Sequence, residues 1–496
     1  MKSFNRRQFL AAGSALGIAA SASISGSISA LHLLAEEASG ANDVIRFALI
    51  GAGPRGNVLG TAITQLKNMK LVAVCDVDSE RLAAAKKNYG VEKAFTDMRK
   101  IFDDPEIDAV AIATCNHWHC LAAIWAMQAG KHVYLEKPLC LSFWEGQQLI
   151  NATKKYGKFC QIGTQMRTDD ELHPAAKKLL HEDPILGKIQ SVRVNRFWPR
   201  RSIGLRTAPL VPPANTDYNL WLGPAKDLPL FRNQLHYDWH WMWNTGNGET
   251  GNWGAHLLDD CRNDVLQNKI QIPKRVFTLG ARVGYQDAGD SPNTLLTWFE
   301  TGSFPVIFAI SGLEAKEKRH FTGRLEGPNS GYVVYCEGGR YEKYWGGAHV
   351  FDAEGKEIME LKGNSESYGA YPHLQNFVDS ILANKKEMLN AEINVGFDSS
   401  FWINSANTSY RLAKEHSYAK AKLLERPNLG KMPEILDAIE EHMASQGVSM
   451  EAFRLSSVME LDPATRRFVG PDAEAANELM EFRPGRNEFV VPEIQI

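Results

Sequence analysis

Val44-Ile-Arg-Phe-Ala-Leu-Ile50 is apolar at every position except Arg46. That is the pattern of a strand buried on both faces of a parallel sheet. Similar runs recur at 71–75, 107–114, 131–135 and 159–163. Between them lie segments with helical patterning: 56–68; 78–89, ended by Gly90; a helix running to about Gln128, closed by Gly130; and 142–156, stopped by Gly157. This strand–helix alternation predicts a doubly wound α/β domain over residues 42–165.

The pattern then changes. Apolar runs at 188–197, 275–280, 293–299, 305–311 and 331–336 read as strands, and 351–358 reads as a hairpin turning at Gly355. Residues 371–383 and 396–415 read as amphipathic scaffold helices, the first followed by Lys385 and Lys386, cations suited to a helix C-terminus. These segments define a second α+β domain over 166–420. A C-terminal extension, 421–496, combines an acidic helix at 433–444 with irregular charged sequence and a turn at Phe482–Gly485.

Composition narrows the reading without redirecting it. The 496 residues suffice for two or three domains, and a net charge of −3 with no basic stripe excludes a nucleic-acid partner. The 7 cysteines are scattered without a C-x-x-C pair, which argues against a disulfide framework or a zinc site. Residues 1–41 read as a targeting segment. Asn5-Arg6-Arg7-Gln8-Phe9-Leu10 is a twin-arginine signature, and the apolar run after it is too short to span a membrane. The expected location is periplasmic or otherwise exported, with no membrane contact beyond the signal.

Candidate chemistry starts directly after the first strand. Gly51, Gly53 and Gly56 form G-x-G-x-x-G, in which the first glycine allows the turn, the second admits a pyrophosphate and the third packs helix on strand. The following helix N-terminus favours phosphate. Asp76 ends the next strand roughly twenty residues on, where an acid accepts from a ribose 2′-OH. His117-x-His119 lacks an acidic or cysteine partner, so no metal is expected; it is read as lining the groove and capping the next helix. Lys137, in Glu136-Lys137-Pro138, stands at the mouth of a buried strand, where burial and charge tune an amine for proton transfer. Further on, 236–243 interleaves His236, Asp238 and His240 with four aromatic rings, a composition suited to a sugar face. Asn252, His256 and Asp260 are spaced four apart and are read as one helix face.

Taken together, the glycine motif, Cys75-Asp76, Thr114-Cys-Asn-His-Trp-His119 and Glu136-Lys137-Pro138 resemble the glucose–fructose oxidoreductase / inositol dehydrogenase / MocA (Gfo/Idh/MocA) family, over about 43–420. The resemblance implies a Rossmann domain followed by a large, open, mostly antiparallel sheet. An exposed face on such a sheet offers a place for a second copy to form a homo-oligomer, with the oligomeric state left open. It implies a cofactor site of Gly51, Gly53, Pro54, Arg55, Gly56, Asp76, Thr114, Cys115, Asn116, His119, Glu136, Lys137 and Gln165. NAD is favoured over NADP because no arginine follows Asp76, although Arg55 leaves room for NADP. Lys137 and His256 are the implied catalytic residues, with His256 titrating near an ordinary histidine pKa of ~6.5. Arg167, Tyr237, Asp238, Trp239, Asn252, Trp253 and His256 are the implied substrate contacts. Asn252 departs from the family, many members of which carry an acid there.

The expected function is an exported NAD-dependent oxidoreductase acting on a sugar hydroxyl. Outside the cytoplasm no soluble NAD pool is expected, so the cofactor would be retained and reset within each cycle. An NAD-dependent glycosidase, working by transient oxidation and elimination, is the alternative. A sugar-binding protein without turnover is a third reading.

Overall fold

The buried strands of the first half form a six-stranded parallel sheet in the order β3-β2-β1-β4-β5-β6. The strands are β1 (Ile45–Ile50), β2 (Met69–Cys75), β3 (Lys93–Phe95), β4 (Ala109–Ile112), β5 (His132–Leu135) and β6 (Cys160–Ile162). Reversal of strand order about β1 and β4 puts a crevice at their C-terminal ends, the place where ligands bind in doubly wound sheets. The computed structural model describes residues 44–315, 325–364 and 369–496, so the twin-arginine signature and the 1–41 segment lie outside the described residues.

Helices α1 (Pro54–Gln65), α2 (Ser79–Tyr89), α3 (His119–Gln128) and α4 (Phe143–Tyr156) flank this sheet. Local chemistry sets their ends. Asp78 caps α2 by accepting from Glu80 and Arg81, and a Ser142–Glu145 capping box starts α4. Helix α3 is buried almost all round, which requires cover on its outer side too. The cover is the end of the chain: Phe489 packs against Trp118 and Trp125, and Val491 and Ile494 join the same core.

The second sheet has 11 strands, ordered β14-β13-β12-β11-β7-β10-β9-β8-β16-β17 with β15 on β8. Its principal strands are β7 (Ile189–Phe197), β8 (Arg275–Ala281), β9 (Thr294–Glu300), β10 (Pro305–Ser311), β11 (Ser330–Cys336), β12 (Gly339–Tyr344), β13 (Gly347–Asp352) and β14 (Glu357–Lys362); β15 (Arg454–Leu455), β16 (Met459–Asp462) and β17 (Arg467–Val469) come from the C-terminal extension. All pairs are antiparallel except β7–β10. The expected hairpin turns at Gly355 between β13 and β14. The other strands read from the sequence agree to within one or two residues, but β12 and β15–β17 were not foreseen.

Between β7 and β8 the chain makes α5 (Gly248–Asn252) and α6 (Gly254–Asp264), separated at Trp253. After β14 it returns to the first domain, where α7 (Tyr371–Ala383) places Leu374, Phe377 and Val378 against β1, and α8 (Ile393–Leu412) crosses between the two sheets. Helix α9 (Met432–Ser445) carries a stripe of Met432, Ile435, Leu436, Ile439 and Met443 that packs on Phe277, Leu296, Trp298 and Ile307. The sheet face offered by the sequence to a second copy is therefore covered over β8–β10 by the chain's own extension. Among the described residues, no helix is long and apolar enough to cross a membrane.

Candidate functional site

The crevice is a cavity of about 410 Å³. Its first wall is the turn after β1. Gly51 has φ of +91°, and a Cβ there would lie 2.6 Å from the Ala113 carbonyl oxygen. A Cβ on Gly56 would lie 1.8 Å from the Gly51 oxygen, so Gly56 serves the tight helix–strand packing and does not line the cavity. Gly51, Gly53, Pro54 and Arg55 do line it. Asp76 sits at the end of β2 with Oδ2 accepting from Ala52 N at 2.7 Å and Oδ1 from Asp78 N at 2.9 Å. Burial pushes its pKa up, opposed by these two backbone donors.

The second wall comes from the loops after β4 and β5. Thr114, Cys115, Asn116 and His119 line the cavity, as do Glu136 and Lys137. His119 is held neutral by burial and bonds the Pro138 carbonyl at 2.7 Å, tying the two loops together. His117 faces away from the groove, with Nε2 3.0 Å from the Trp221 oxygen, so it does not line it as expected. No side chain caps α3. Arg55 reaches across to Glu136 at 2.6 Å. Its Nε is held there, while its Nη2 is left without a partner.

Lys137 is the inner feature. Its Nζ donates to the Asn252 carbonyl at 2.5 Å and lies 3.4 Å from Asn252 Oδ1. Burial lowers its pKa to about 8, partly offset by Glu136. Beside it, His256 is held well below the ordinary histidine pKa by burial and by Lys137, Arg55 and Arg196. The expectation of a histidine titrating near 6.5 is thus corrected: His256 is a neutral imidazole, and Lys137 is the group that titrates in the physiological range.

Tyr237, Trp239, Asn252 and Trp253 join these residues on the cavity wall, as expected. Three other expected site residues, Arg167, Gln165 and Asp238, do not reach it. Arg167 is buried in a two-pronged pair with Asp259 (2.5 and 2.9 Å) and bonds Asn263 and Asn268. It locks α6 to the turn after β6. Gln165 supports the wall from behind, donating to Glu136 Oε1 at 3.2 Å. Asp238 lies outside the lining and faces Arg232. Asp260 does not share a face with Asn252, because the helix breaks at Trp253 (φ −113°, ψ −27°). It lies instead 3.2 Å from Lys343, in a buried cluster with His173 and Asp264.

That cluster has the donor set of a cation site. However, His173 bonds Asp264 at 2.7 Å and the Met166 carbonyl at 2.5 Å, so both ring nitrogens donate and the ring is cationic. Its pKa rises to about 9: burial lowers it, but Asp264 and Asp260 more than compensate. With Lys343, two cations already balance two carboxylates.

The third wall was not foreseen. Residues 215–222 and His236 cross the adenosine end of the groove, and Leu220, Trp221 and His236 line it together with Arg81. This roof is pinned on both sides. Ser79 N donates to Asn215 O at 2.8 Å, Asp217 N to Val77 O at 2.9 Å, and His236 Nε2 lies 3.0 Å from Asp78 Oδ2. Trp118 Nε1 donates to Leu220 O at 3.0 Å, and Arg486 from the tail bonds the Gly223 and Asn219 carbonyls. The one sequence signal was the apolar, aromatic 217–224 segment.

Four buried polar atoms on these walls have no partner: Arg55 Nη2, Thr114 Oγ1, Trp221 Nε1 and His256 Nδ1. Buried polar groups are normally bonded. Their clustering here fits a polar ligand, and with the glycine turn and Asp76 it fits a dinucleotide.

The fold and groove define a Rossmann-type dinucleotide-binding domain. Residues 45–164 match the GFO_IDH_MocA profile, described as an oxidoreductase family with an NAD-binding Rossmann fold. Residues 45–164 are thus similar to the NAD-binding domain of the Gfo/Idh/MocA oxidoreductases. Among curated relatives, myo-inositol 2-dehydrogenase of Thermotoga maritima is 30% identical over 150 residues, 30% of this chain and 44% of that protein. A 4-carboxy-2-hydroxymuconate-6-semialdehyde dehydrogenase of Sphingobium is 27% identical over 192 residues, 38% and 59% of the two chains. The chain thus spans about half the length of these relatives. The WlbA dehydrogenase of Bordetella pertussis, solved with NADH and UDP-GlcNAcA, shares the fold with a TM-score of 0.55 and 19% identity, over 74% of this chain and 97% of that one.

Proposed function

We propose that this chain is an exported NAD-dependent oxidoreductase acting on a ring hydroxyl of a sugar or sugar derivative, with the cofactor retained between turnovers. The observation that carries the reading is Lys137, which lines the same cavity as the glycine turn and has a pKa lowered to about 8. The myo-inositol and UDP-sugar specificities named for two similar proteins support the substrate class. The twin-arginine signature supports export.

NAD, when bound, would supply the hydride acceptor for the carbinol carbon. This chain's residues handle the rest. Neutral Lys137 accepts the hydroxyl proton, and burial supplies the depressed pKa that an amine base needs near neutrality. His256 stays neutral and presents Nδ1 to a neighbouring hydroxyl. Trp239, Trp253 and Tyr237 provide rings on which a sugar face stacks. Asp76 receives the adenosine ribose hydroxyls, and the roof of residues 215–222 shuts off that end of the groove, which supports retention.

A second reading is favoured by the pairing of Lys137 with a neutral, unpartnered His256 in one cavity. Two bases suit a cycle in which oxidation is followed by removal of the proton next to the ketone, elimination of a leaving group, addition of water to the resulting double bond and return of the hydride to the ketone: an NAD-dependent glycosidase.

The test uses protein purified without added nucleotide. Denaturation and mass spectrometry should release NAD or NADH in a near 1:1 ratio, and a panel of sugars and aryl glycosides should yield keto-sugar or free aglycone. Lys137→Ala should keep the nucleotide and lose turnover. Turnover surviving in Lys137→Ala would remove Lys137 from the mechanism, and an empty protein would remove cofactor retention.

A further inference from the structure

Glu249 lies outside the cavity lining, yet its carboxylate holds the Asn252 side-chain amide from behind. We infer that Glu249 is a positioning residue for Lys137: it fixes the sense of the Asn252 carboxamide, so that both Asn252 oxygens face the lysine nitrogen. The inference rests on the reading of Lys137 as the proton acceptor.

Glu249 and Asn252 are three apart on α5 and share one face. The Glu249 carboxylate is buried between two arginines. Oε1 accepts from Arg200 Nη2 at 2.7 Å and from Arg196 Nε at 3.3 Å, and Oε2 accepts from Arg200 Nε at 3.0 Å. Burial works against its ionisation, but Arg200 and Arg196 hold its pKa below the usual value. It is therefore an acceptor with no hydrogen to give.

Asn252 Nδ2 donates to Glu249 Oε2 at 3.2 Å. The two ends of a carboxamide are alike in shape, so neighbours decide which way it points. Flipping this one would set oxygen against a carboxylate and an NH₂ against an amine. Glu249 thereby leaves Oδ1 for Lys137, alongside the Asn252 main-chain oxygen. A neutral lysine amine has two hydrogens and one lone pair. With both hydrogens directed at Asn252, the lone pair is left for the cavity, where a substrate hydroxyl would sit. Asn252 cannot ionise; the nearest carboxylate behind it, one helical turn away, is Glu249.

The other charged or titratable groups facing Lys137 are Glu136, Arg55, Arg200, His119, His240 and His256, and the variants below leave all of them in place. The experiment is competitive acetylation of the purified protein with acetic anhydride across pH 6–11, with the Lys137 peptide followed by mass spectrometry. Wild type should show a labelling midpoint near 8. Glu249→Gln removes the charge and the accept-only atom, and the Lys137 midpoint should fall by about one pH unit, the lower end of the effect of a nearby charge. Asn252→Leu keeps the Glu249–arginine pairs intact, so it carries the test if Glu249→Gln does not fold; its midpoint should fall as well. An unchanged midpoint in a folded variant of either kind would overturn the inference. Labelling needs no turnover. A shifted midpoint in a protein that oxidises no sugar would sink the functional reading and leave this one standing.

Discussion

The buried quartet of His173, Asp260, Asp264 and Lys343 makes a prediction whose size and pH window both come from the structure. His173 is almost fully buried, and its pKa is raised from 6.5 to about 9 by Asp264 and Asp260 against the pull of burial. At 1.36 kcal/mol per pKa unit this difference is worth about 3 kcal/mol of folding stability. The sign follows from the raised value. The contribution is complete below the unfolded pKa of 6.5 and is lost as pH climbs through 9. His173→Gln keeps side-chain length and hydrogen-bonding capacity but carries no charge, leaving Asp264 with neutral side-chain donors, the Tyr332 hydroxyl at 2.7 Å and Asn263 Nδ2 at 3.3 Å. Urea unfolding followed by tryptophan fluorescence at pH 6.0 and 9.5 measures the wild-type minus variant difference, in which most other titrations cancel. The expected loss is about 3 kcal/mol at pH 6.0, in the range for breaking a buried ion pair, and much less at pH 9.5. An equal loss at both pH values would show that His173 acts by packing alone, and the charge-balance account of the cluster would fail.

Three further outcomes are expected. Gly51→Ala should lower both thermal stability and nucleotide content, since its φ of +91° and a 2.6 Å approach to the Ala113 oxygen leave no room for a methyl group; full occupancy in this variant would contradict the turn's role. Turnover should rise as pH increases through about 8, because Lys137 takes a proton only when neutral; a rate that falls over that range would assign the proton to another group. Arg486→Ala removes the tail's bonds to Gly223 and Asn219, so bound nucleotide should exchange severalfold faster in a filter assay with labelled NAD; an unchanged exchange rate would free the roof from the tail.

The nucleotide half was legible because its signals are local. A run of apolar residues, a glycine turn and an acid at the end of the next strand specify one another over a few dozen residues, and β1, α1 and Asp76 stand where that pattern puts them. Lys137 and His256 were legible through the resemblance, and Asn252 as a departure from it. Arg167 and Asp260 were misread for a physical reason. Each is polar and close in sequence to true cavity residues, but its partner is set by tertiary packing: Asp259 for Arg167, and Lys343 for Asp260. The spacing from Asn252 to Asp260 implied one face only if the helix were continuous, and it breaks at Trp253. The roof and the C-terminal strap left weaker traces. A largely apolar α3 signals a missing cover but not that Phe489 supplies it. Neutral His256 was unreadable too, since its depressed pKa comes from burial beside Lys137, Arg55 and Arg196, which the fold gathers from three separate segments.

The central claim is that the groove holds a retained nicotinamide and that Lys137 couples it to oxidation of a sugar hydroxyl. It is tested most directly by mixing the protein, as purified and with no added nucleotide, with a panel of sugars and glycosides in a stopped-flow instrument and recording absorbance at 340 nm. The account predicts a rapid burst equal to no more than one nicotinamide per chain with wild type, and no burst with Lys137→Ala of equal nucleotide content. A burst of the same rate and size in Lys137→Ala, or none from any polyol in a wild-type protein loaded with oxidised cofactor, would contradict it.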